Sequence, residues 1–201
     1  MSGDAASDGG PRKAPGRPVA VLALCAAVLL AGFPALGAAQ SAGGAALERK
    51  VKAAFLYKFL GYTEFPASAL GDAGAPVVIG VVDADELASE LTRMVSGRTV
   101  GTRPITVKVL REQDVPSGVH LLFVGGSDPL KVRNVLRAVA PAPVLLVTEA
   151  DDGLRQGSII NFKIVDERVR FDVSLAAAEK NSIKLSSRLL TVASQVVKGA
   201  P

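Results

Sequence analysis

Few residues in this chain are of a type that does covalent chemistry. Asp83 and Asp85 follow the apolar run Val77-Val78-Ile79-Gly80-Val81-Val82. Two carboxylates just past the carboxyl end of a strand could hold a divalent cation, since open α/β sheets bind ligands at that edge. A phosphoacceptor arrangement would also need a lysine at a strand end, and Val147-Thr148-Glu149 supplies none. Helix capping is the plainer account. Asp83, with Glu86 three residues on, resembles a capping box in which Asp takes the Ser/Thr role. His120 is the sole histidine. A general base needs a nucleophile or an acid held near it, and the spacing assigns it neither. At the head of an apolar strand it reads as a satisfied, half-buried side chain.

Gly125-Gly126-Ser127 lies between a strand and the start of a helix. Such a turn exposes backbone N–H groups at the positive end of a helix dipole, which suits an anion. The spacing is neither a P-loop nor a dinucleotide fingerprint, and Asp128 beside it would repel a phosphate. Capping by Ser127 or Asp128, with Pro129 in the first helical position, accounts for the segment. Asp151-Asp152-Gly153 reads as a turn with Gly153 free to take positive φ. Arg168, Arg170, Lys184 and Arg188 form the best basic cluster. It suits a small anion or the acidic face of a partner, and solvated surfaces explain it equally. No catalytic residue, metal ligand or cofactor-binding residue is assigned.

The elements that would position these residues are legible. Leu47, Val51, Phe55 and Phe59 recur at four-residue spacing with Ala54 beside them, an apolar helical stripe. Glu48, Arg49, Lys52 and Lys58 supply its polar side. Leu56, Tyr57, Leu60 and Tyr62 widen the apolar face, as a buried core helix or a partner surface would. Gly61 and Pro66 close it. Val77–Val82 is apolar on both faces, as a buried parallel strand is. A helix through Leu87, Leu91 and Val95 stops at Gly97. Ile105, Val107 and Val109 alternate with Thr106 and Lys108, so the next strand is half-exposed. His120 to Val124, a helix from Pro129 through Val139, and Val144 to Val147 complete an alternation that implies right-handed crossovers. Ile160, Phe162 and Ile164 then alternate, as do Val169, Phe171 and Val173, and Val165-Asp166-Glu167 is too short for a crossover. This is an antiparallel hairpin. A closing helix is expected to carry Leu185, Leu189, Val192, Ala193 and Val196. The predicted fold is α/β: a three-layer α/β/α sandwich with a mixed, mostly parallel sheet and an antiparallel C-terminal hairpin.

Arg12, Lys13 and Arg17 precede an apolar run from Val19 to Leu30, then the small residues Ala35, Gly37, Ala38 and Ala39. That order is a secretory signal peptide, and the run is shorter than the roughly 20 residues of a spanning helix. Residues 1–39 are expected to be a cleaved leader, 40–46 a loose N-terminus and 47–201 a single domain. Cys25, the only cysteine, falls inside the apolar run with Leu24 before it, so it is not a lipoprotein signal, and no intramolecular disulfide is available. Loss of the leader lowers the formal charge from +4 to +3. That mild balance, with no Trp and no basic run interleaved with aromatics, argues against nucleic acid.

Several segments resemble the YfiR family of periplasmic regulators. Lys52-Ala53-Ala54-Phe55-Leu56-Tyr57-Lys58-Phe59 leading to Thr63-Glu64-Phe65-Pro66 resembles the family opening KAAFLYNF…FTEWP. His120-Leu121-Leu122-Phe123 resembles its central strand, and Gly157-Ser158-Ile159-Ile160-Asn161-Phe162 its GGMINF segment. Arg168-Val169-Arg170-Phe171-Asp172-Val173 and Leu185-Ser186-Ser187-Arg188-Leu189-Leu190 resemble RVRFEIN and ISSRLL. The likeness spans about Leu47 to Val197. It implies a non-enzymatic, exported homodimer that binds the periplasmic region of a membrane-bound diguanylate cyclase and holds it inactive. Release is linked to an outer-membrane lipoprotein or to envelope stress. Such a regulator must bind the inactive conformation more tightly than the active one. Tyr57, Tyr62, Arg170 and Arg188 are the partner-binding candidates. Val119 stands where many relatives have Cys, so disulfide control is excluded, and Phe65 replaces the usual Trp. Two other readings stay open. A periplasmic small-ligand receptor serving a transporter or sensor kinase predicts a concave, partly apolar pocket at the strand ends. A hydrolase would use Asp83, Asp85 or His120.

Overall fold

The computed structural model describes residues 35–114 and 118–199. The first helix, α1 (Ala35–Gly61), begins well before Leu47 and takes in the Gln40–Ala46 segment expected to be loose. Ala42, Ala45 and Ala46 favour the extension, while Gly43 and Gly44 oppose it. The first 34 residues of the expected leader lie outside the described residues. Beyond α1 come β1 (Thr63–Glu64), α2 (Ala67–Leu70), β2 (Val77–Val82), α3 (Asp85–Val95), β3 (Thr99–Val100), β4 (Arg103–Leu110) and β5 (Leu121–Val124). Then follow α4 (Pro129–Val139), β6 (Leu145–Thr148), α5 (Gly153–Gln156), β7 (Ile160–Val165) and β8 (Arg168–Ser174). The chain ends in α6 (Leu175–Lys180), β9 (Lys184–Leu185), α7 (Ser187–Val192) and β10 (Gln195–Val197).

Eight strands form one mixed sheet in the order β10-β8-β7-β6-β5-β2-β4-β3. Only β7–β8 and β3–β4 pair antiparallel; the other neighbours are parallel. β1 and β9 make a separate two-stranded ladder, Thr63 opposite Leu185. The α/β class and the mostly parallel sheet are as the periodicity predicts, and so is the hairpin. Its turn places Asp166 and Glu167 at φ 50° and 58°, the left-handed pair that a two-residue hairpin loop requires.

The closing helix is a correction. Leu185 belongs to β9, α7 is short, and Val196 lies in β10, which adds to the sheet parallel to β8. β-branched Val196 and Val197 at an open sheet edge favour a strand over the helical turn that their spacing also permits.

Register assigns the faces. Phe123 lies opposite Val81 and Val147, and Phe162 opposite Phe171, so these side chains share one face of the sheet. α1 covers that face through a cluster of phenylalanines. Phe59 stacks on Phe162 at 5.8 Å and meets Phe171 edge-on at 5.0 Å, while Phe123 lies 6.2 Å from Phe162. Each such pair adds about 0.5–1.5 kcal/mol to simple burial. The inner face of α1 is rotated from the expected stripe. Lys52, Ala53, Leu56, Phe59 and Leu60 are buried, whereas Leu47 is 64% exposed. At 3.6 residues per turn a strict four-residue spacing drifts about 40° per step. Leu47 and Phe59 therefore cannot share one contact line.

α3 joins α1 on this side, with Arg49 paired to Glu86 at 3.0 Å. The opposite face carries Thr148 and Asn161, covered by α5, against which α4 packs. Gly153, the first residue of α5, has ordinary φ, which corrects the positive-φ expectation. It is glycine for space, because a Cβ would strike Thr148 Oγ1 and Asn161 Oδ1.

Candidate functional site at the strand ends

The parallel strands β4-β2-β5-β6-β7 place the first strand of the series second in order. α3 leaves β2 on one face and α4 leaves β5 on the other. The carboxyl ends of β2 and β5 therefore form a topological switch point, where sheets of this kind open a ligand crevice. A cleft of about 930 Å³ lies there, with Asp83, Asp85, Glu149, Lys52, Lys131 and Phe123 among its lining. A second cleft of about 610 Å³ shares Glu48, Lys52 and Glu149 with it. Charged side chains line both clefts, and in the larger one Leu87, Val109, Leu110 and Phe123 add apolar wall, so its lining mixes the two kinds.

Lys52 is the centre of this site. Its side chain is 9% exposed, although the sequence pattern placed it on the solvent side of α1. The i,i+4 partner Glu48 receives its ammonium, and Glu149, at the end of β6, receives it at 2.6 Å. Burial alone would depress the Lys52 pKa; the hydrogen bonds and charges of Glu149 and Glu48 outweigh it and hold the group above its usual 10.5. The other Glu149 oxygen accepts from the Gly126 N–H at 2.9 Å. The glycine turn read as a possible anion site thus already carries a carboxylate, and it is the protein's own. Gly125 beside it has no room for a side chain, since a Cβ would lie 2.8 Å from the Asp83 carbonyl oxygen.

Asp83 does not cap α3, which corrects the capping-box expectation. The N-cap is Ala84, without a side-chain cap bond, and Asp83 sits at φ 55°. Its carboxylate pairs with Lys131 of α4, which raises the lysine's pKa. Glu86 is taken by Arg49. Asp83 faces a cation on the neighbouring helix, so the charge a metal would answer is already met. Asp128 caps α4 as expected, accepting from the Leu130 and Lys131 N–H groups after Pro129 at the first position.

Below the cleft, Thr148 donates to Asn161 Oδ1 at 2.6 Å and lies 3.0 Å from Ser158 Oγ. All three are buried. This trio fixes the end of β6 to the start of β7 and thereby fixes Glu149, the next residue along.

His120 is at the other end of the sheet, away from Asp83, since β5 runs parallel to β2 and begins just after it. It is 5% exposed, and Nδ1 accepts from the Val78 N–H at 3.1 Å. Nε2 is buried without a hydrogen-bond partner, so the ring is deeper and less satisfied than expected. Burial pushes its pKa below 6.5; the Ala69 backbone opposes this without reaching bonding geometry, and the Arg103 charge adds to it. Arg103 holds the neighbouring loop, donating to the carbonyls of Leu70, Asp72 and Ala75 at 2.7–3.0 Å.

The partner-binding candidates are dispersed. Tyr57 is half-buried, with the Arg98 guanidinium 5.2 Å from its ring centroid. Tyr62 is 37% exposed, and its carbonyl accepts from the Ser186 N–H, which brings it beside α7 and Arg188. Arg170 is exposed on β8, opposite Lys163. Of the basic cluster, Arg168 and Arg170 share β8, while Lys184 lies on β9 and Arg188 on α7.

Lys52 and Glu149 were missed by sequence reasoning. The available signal was the pair Glu48 and Lys52 at i,i+4 spacing, in line with Leu56 and Phe59 and so on the inner face. A comparison with curated proteins finds no match. The sequence profile of one family matches residues 49–194, most of the chain and all of the sheet except its last strand. On the strength of that match and of the α/β fold that carries it, the chain belongs to the YfiR/HmsC-like family.

Proposed function

We propose that this protein is an exported, non-enzymatic regulator that binds the periplasmic region of a membrane-bound diguanylate cyclase and restrains it, lowering cyclic di-GMP. Membership of the YfiR/HmsC-like family across residues 49–194 is the observation that carries this reading. The chemistry of the candidate groups is consistent with it. Asp83 is neutralised by Lys131, and the lone histidine has its Nδ1 committed to a backbone amide. Among the described residues no helix is long and apolar enough to cross a membrane. Residues 1–39 serve in this reading as the cleaved export signal, and the regulator is a homodimer released by an outer-membrane lipoprotein. Tyr57, Tyr62, Arg170 and Arg188 are its proposed contacts with the cyclase. Linkage demands that binding favour the inactive cyclase.

The test is co-purification with the periplasmic region of the cyclase encoded beside it, together with cyclic di-GMP levels after deletion. The expected results are a stable complex and a rise in cyclic di-GMP. Absence of both discards the proposal. The strand-end cleft favours one second reading, a small polar ligand as the signal. A ligand that binds the folded state alone at 100 times its Kd would stabilise it by about 2.7 kcal/mol, which a thermal-shift screen resolves.

A further inference from the structure

The edge of the sheet at β4 is open. β4 spans Arg103–Leu110, yet β3 pairs only with Arg103 and Pro104. Among the described residues nothing pairs with the outer side of Ile105–Leu110. The hydrogen-bond pattern decides which residues point outward. Val78 and Val82 direct their carbonyls at β5, accepting from the His120 and Gly125 N–H groups at 2.9 Å. Val77, Ile79 and Val81 therefore bond toward β4. In a parallel ladder each residue bonds to the two that flank its opposite number. Ile79 lies opposite Val107 and Val81 opposite Val109, so the bonds go to Thr106, Lys108 and Leu110. Ile105, Val107 and Val109 are left with N–H and C=O groups facing away from the sheet.

We infer that this edge pairs with the same edge of a second copy, antiparallel about a two-fold axis at Val107. That register sets Val107 against the partner's Val107 and Ile105 against the partner's Val109. Every outward-pointing residue then meets another outward-pointing one, and each such pair can exchange two backbone hydrogen bonds. The side chains agree. β-branched residues oppose one another on the α1 face, a favourable cross-strand combination. On the other face Lys108 meets the partner's Thr106, so the one charge on the edge never meets itself. The chain also leaves the strand where it must. Pairing beyond Val109 would bring the partner's Leu110 and the partner's Arg111 against Pro104 and Arg103, where β3 already sits, so the new ladder runs from Ile105 to Val109, and β4 ends one residue later with the Arg111 N–H donating to Asp114. Val109, 58% exposed, would be covered. Past Pro104, the stretch Ile105–Leu110 has neither bulge nor proline, and such an edge invites pairing. The isologous arrangement closes at two copies and leaves no open end on that side. This gives a geometry to the dimer put forward above, and it stands apart from cyclase binding, since a regulator that is monomeric could still form that complex.

Sedimentation equilibrium of the purified exported protein tests it. Wild type should be a dimer. Val107→Pro removes an outward N–H while leaving the bonds to β2 intact, and should raise the dimer Kd at least about tenfold with thermal stability of the monomer retained. Thr106→Lys sets two like-charge pairs across the axis and should raise Kd about 2- to 30-fold; Thr106→Glu should lower it by a similar factor. Val107→Cys, with Cys25→Ala, should cross-link on mild oxidation, because hydrogen-bonded antiparallel partners lie about 5.5 Å apart at Cα. A monomeric wild type overturns the inference. So does a dimer indifferent to both charge changes at Thr106, or one that persists with Val107→Pro.

Discussion

Removing the Glu149 carboxylate should hurt this fold more than removing the lysine it holds. Lys52 is the buried member of the trio, with its side chain 9% exposed, while those of Glu149 and Glu48 are 24% and 37% exposed. In Glu149→Ala the ammonium stays buried with Glu48 alone, and Gly126 N–H loses its acceptor. A charge-assisted hydrogen bond contributes about 1.5–3 kcal/mol, and breaking a buried pair by deleting one partner costs about 3–5. With Glu48 still in place the expected loss is about 2–4 kcal/mol, or about 4–16 °C in Tm for a domain of this size. In Lys52→Met the apolar stem is retained and both carboxylates can rehydrate from the cleft, so the loss should be under about 1.5 kcal/mol. The double variant Lys52→Met with Glu149→Leu should recover most of the Glu149→Ala loss, giving a coupling of about 2 kcal/mol in a double-mutant cycle. Urea unfolding at neutral pH measures all of these through the midpoint at constant slope. If Lys52→Met proves as damaging as Glu149→Ala, or Glu149→Ala costs under about 1 kcal/mol, the buried ammonium is not what the site is built around.

Other outcomes follow from the same geometry. Because the folded state depresses the His120 pKa below 6.5, the unfolded chain binds the proton first. The stability owed to the neutral ring is complete above about pH 6.5 and is lost as the pH falls from there toward the folded value. His120→Gln keeps an acceptor for Val78 N–H and should flatten that slope in a pH series of unfolding curves. The raised Lys52 pKa works in the opposite sense: its contribution is complete below about 10.5 and is lost as the pH rises through the folded value, which alkaline unfolding of Lys52→Met against wild type would expose. Gly153→Ala drives a methyl into Thr148 and Asn161 and should cost about 1–3 kcal/mol or more by thermal unfolding, far beyond the usual effect of alanine in a helix. Arg103→Met releases the Leu70–Ala75 carbonyls and should raise the rate of limited proteolysis in that loop with little change in the global midpoint.

The strands were readable where burial leaves a pattern of its own. Val77–Val82, Leu121–Val124 and Leu145–Thr148 are buried along their whole length, and β8 alternates over Arg168–Phe171, so composition and period decide them, whereas β7 is buried through Phe162 and exposed at Ile164 and Val165 despite its alternating sequence. The C-terminal segment failed that test. Leu185, Leu189 and Val196 fit a helical face, but the partner that makes Val196 a strand residue is β8, and no local period reports a neighbour distant in sequence. Lys52 was misjudged for a similar reason. Residue type placed it in water, while position on the wheel placed it inward; the carboxylate that tips the balance lies 97 residues away. Asp83 looked like a cap because Glu86 follows at the right interval, yet each is claimed by a cation on another helix, Lys131 and Arg49. The cleft itself could be foreseen only as a place, the end of the strands. Its contents depend on which side chains cross it from α1 and α4.

β10 carries a consequence for how the molecule is made. It is the last described strand in the chain and it lies directly against β8, with the Ser194 N–H donating to the Phe171 carbonyl at 2.8 Å. A polypeptide that emerges amino end first, from a ribosome or through a secretion pore, has β8 on the border of the sheet until Val197 is free. Its nascent form keeps one flank unfinished until Gln195–Val197 have emerged. Deleting everything after Val192 would make that state permanent, and a sticky, chaperone-dependent product is what such a truncation should yield.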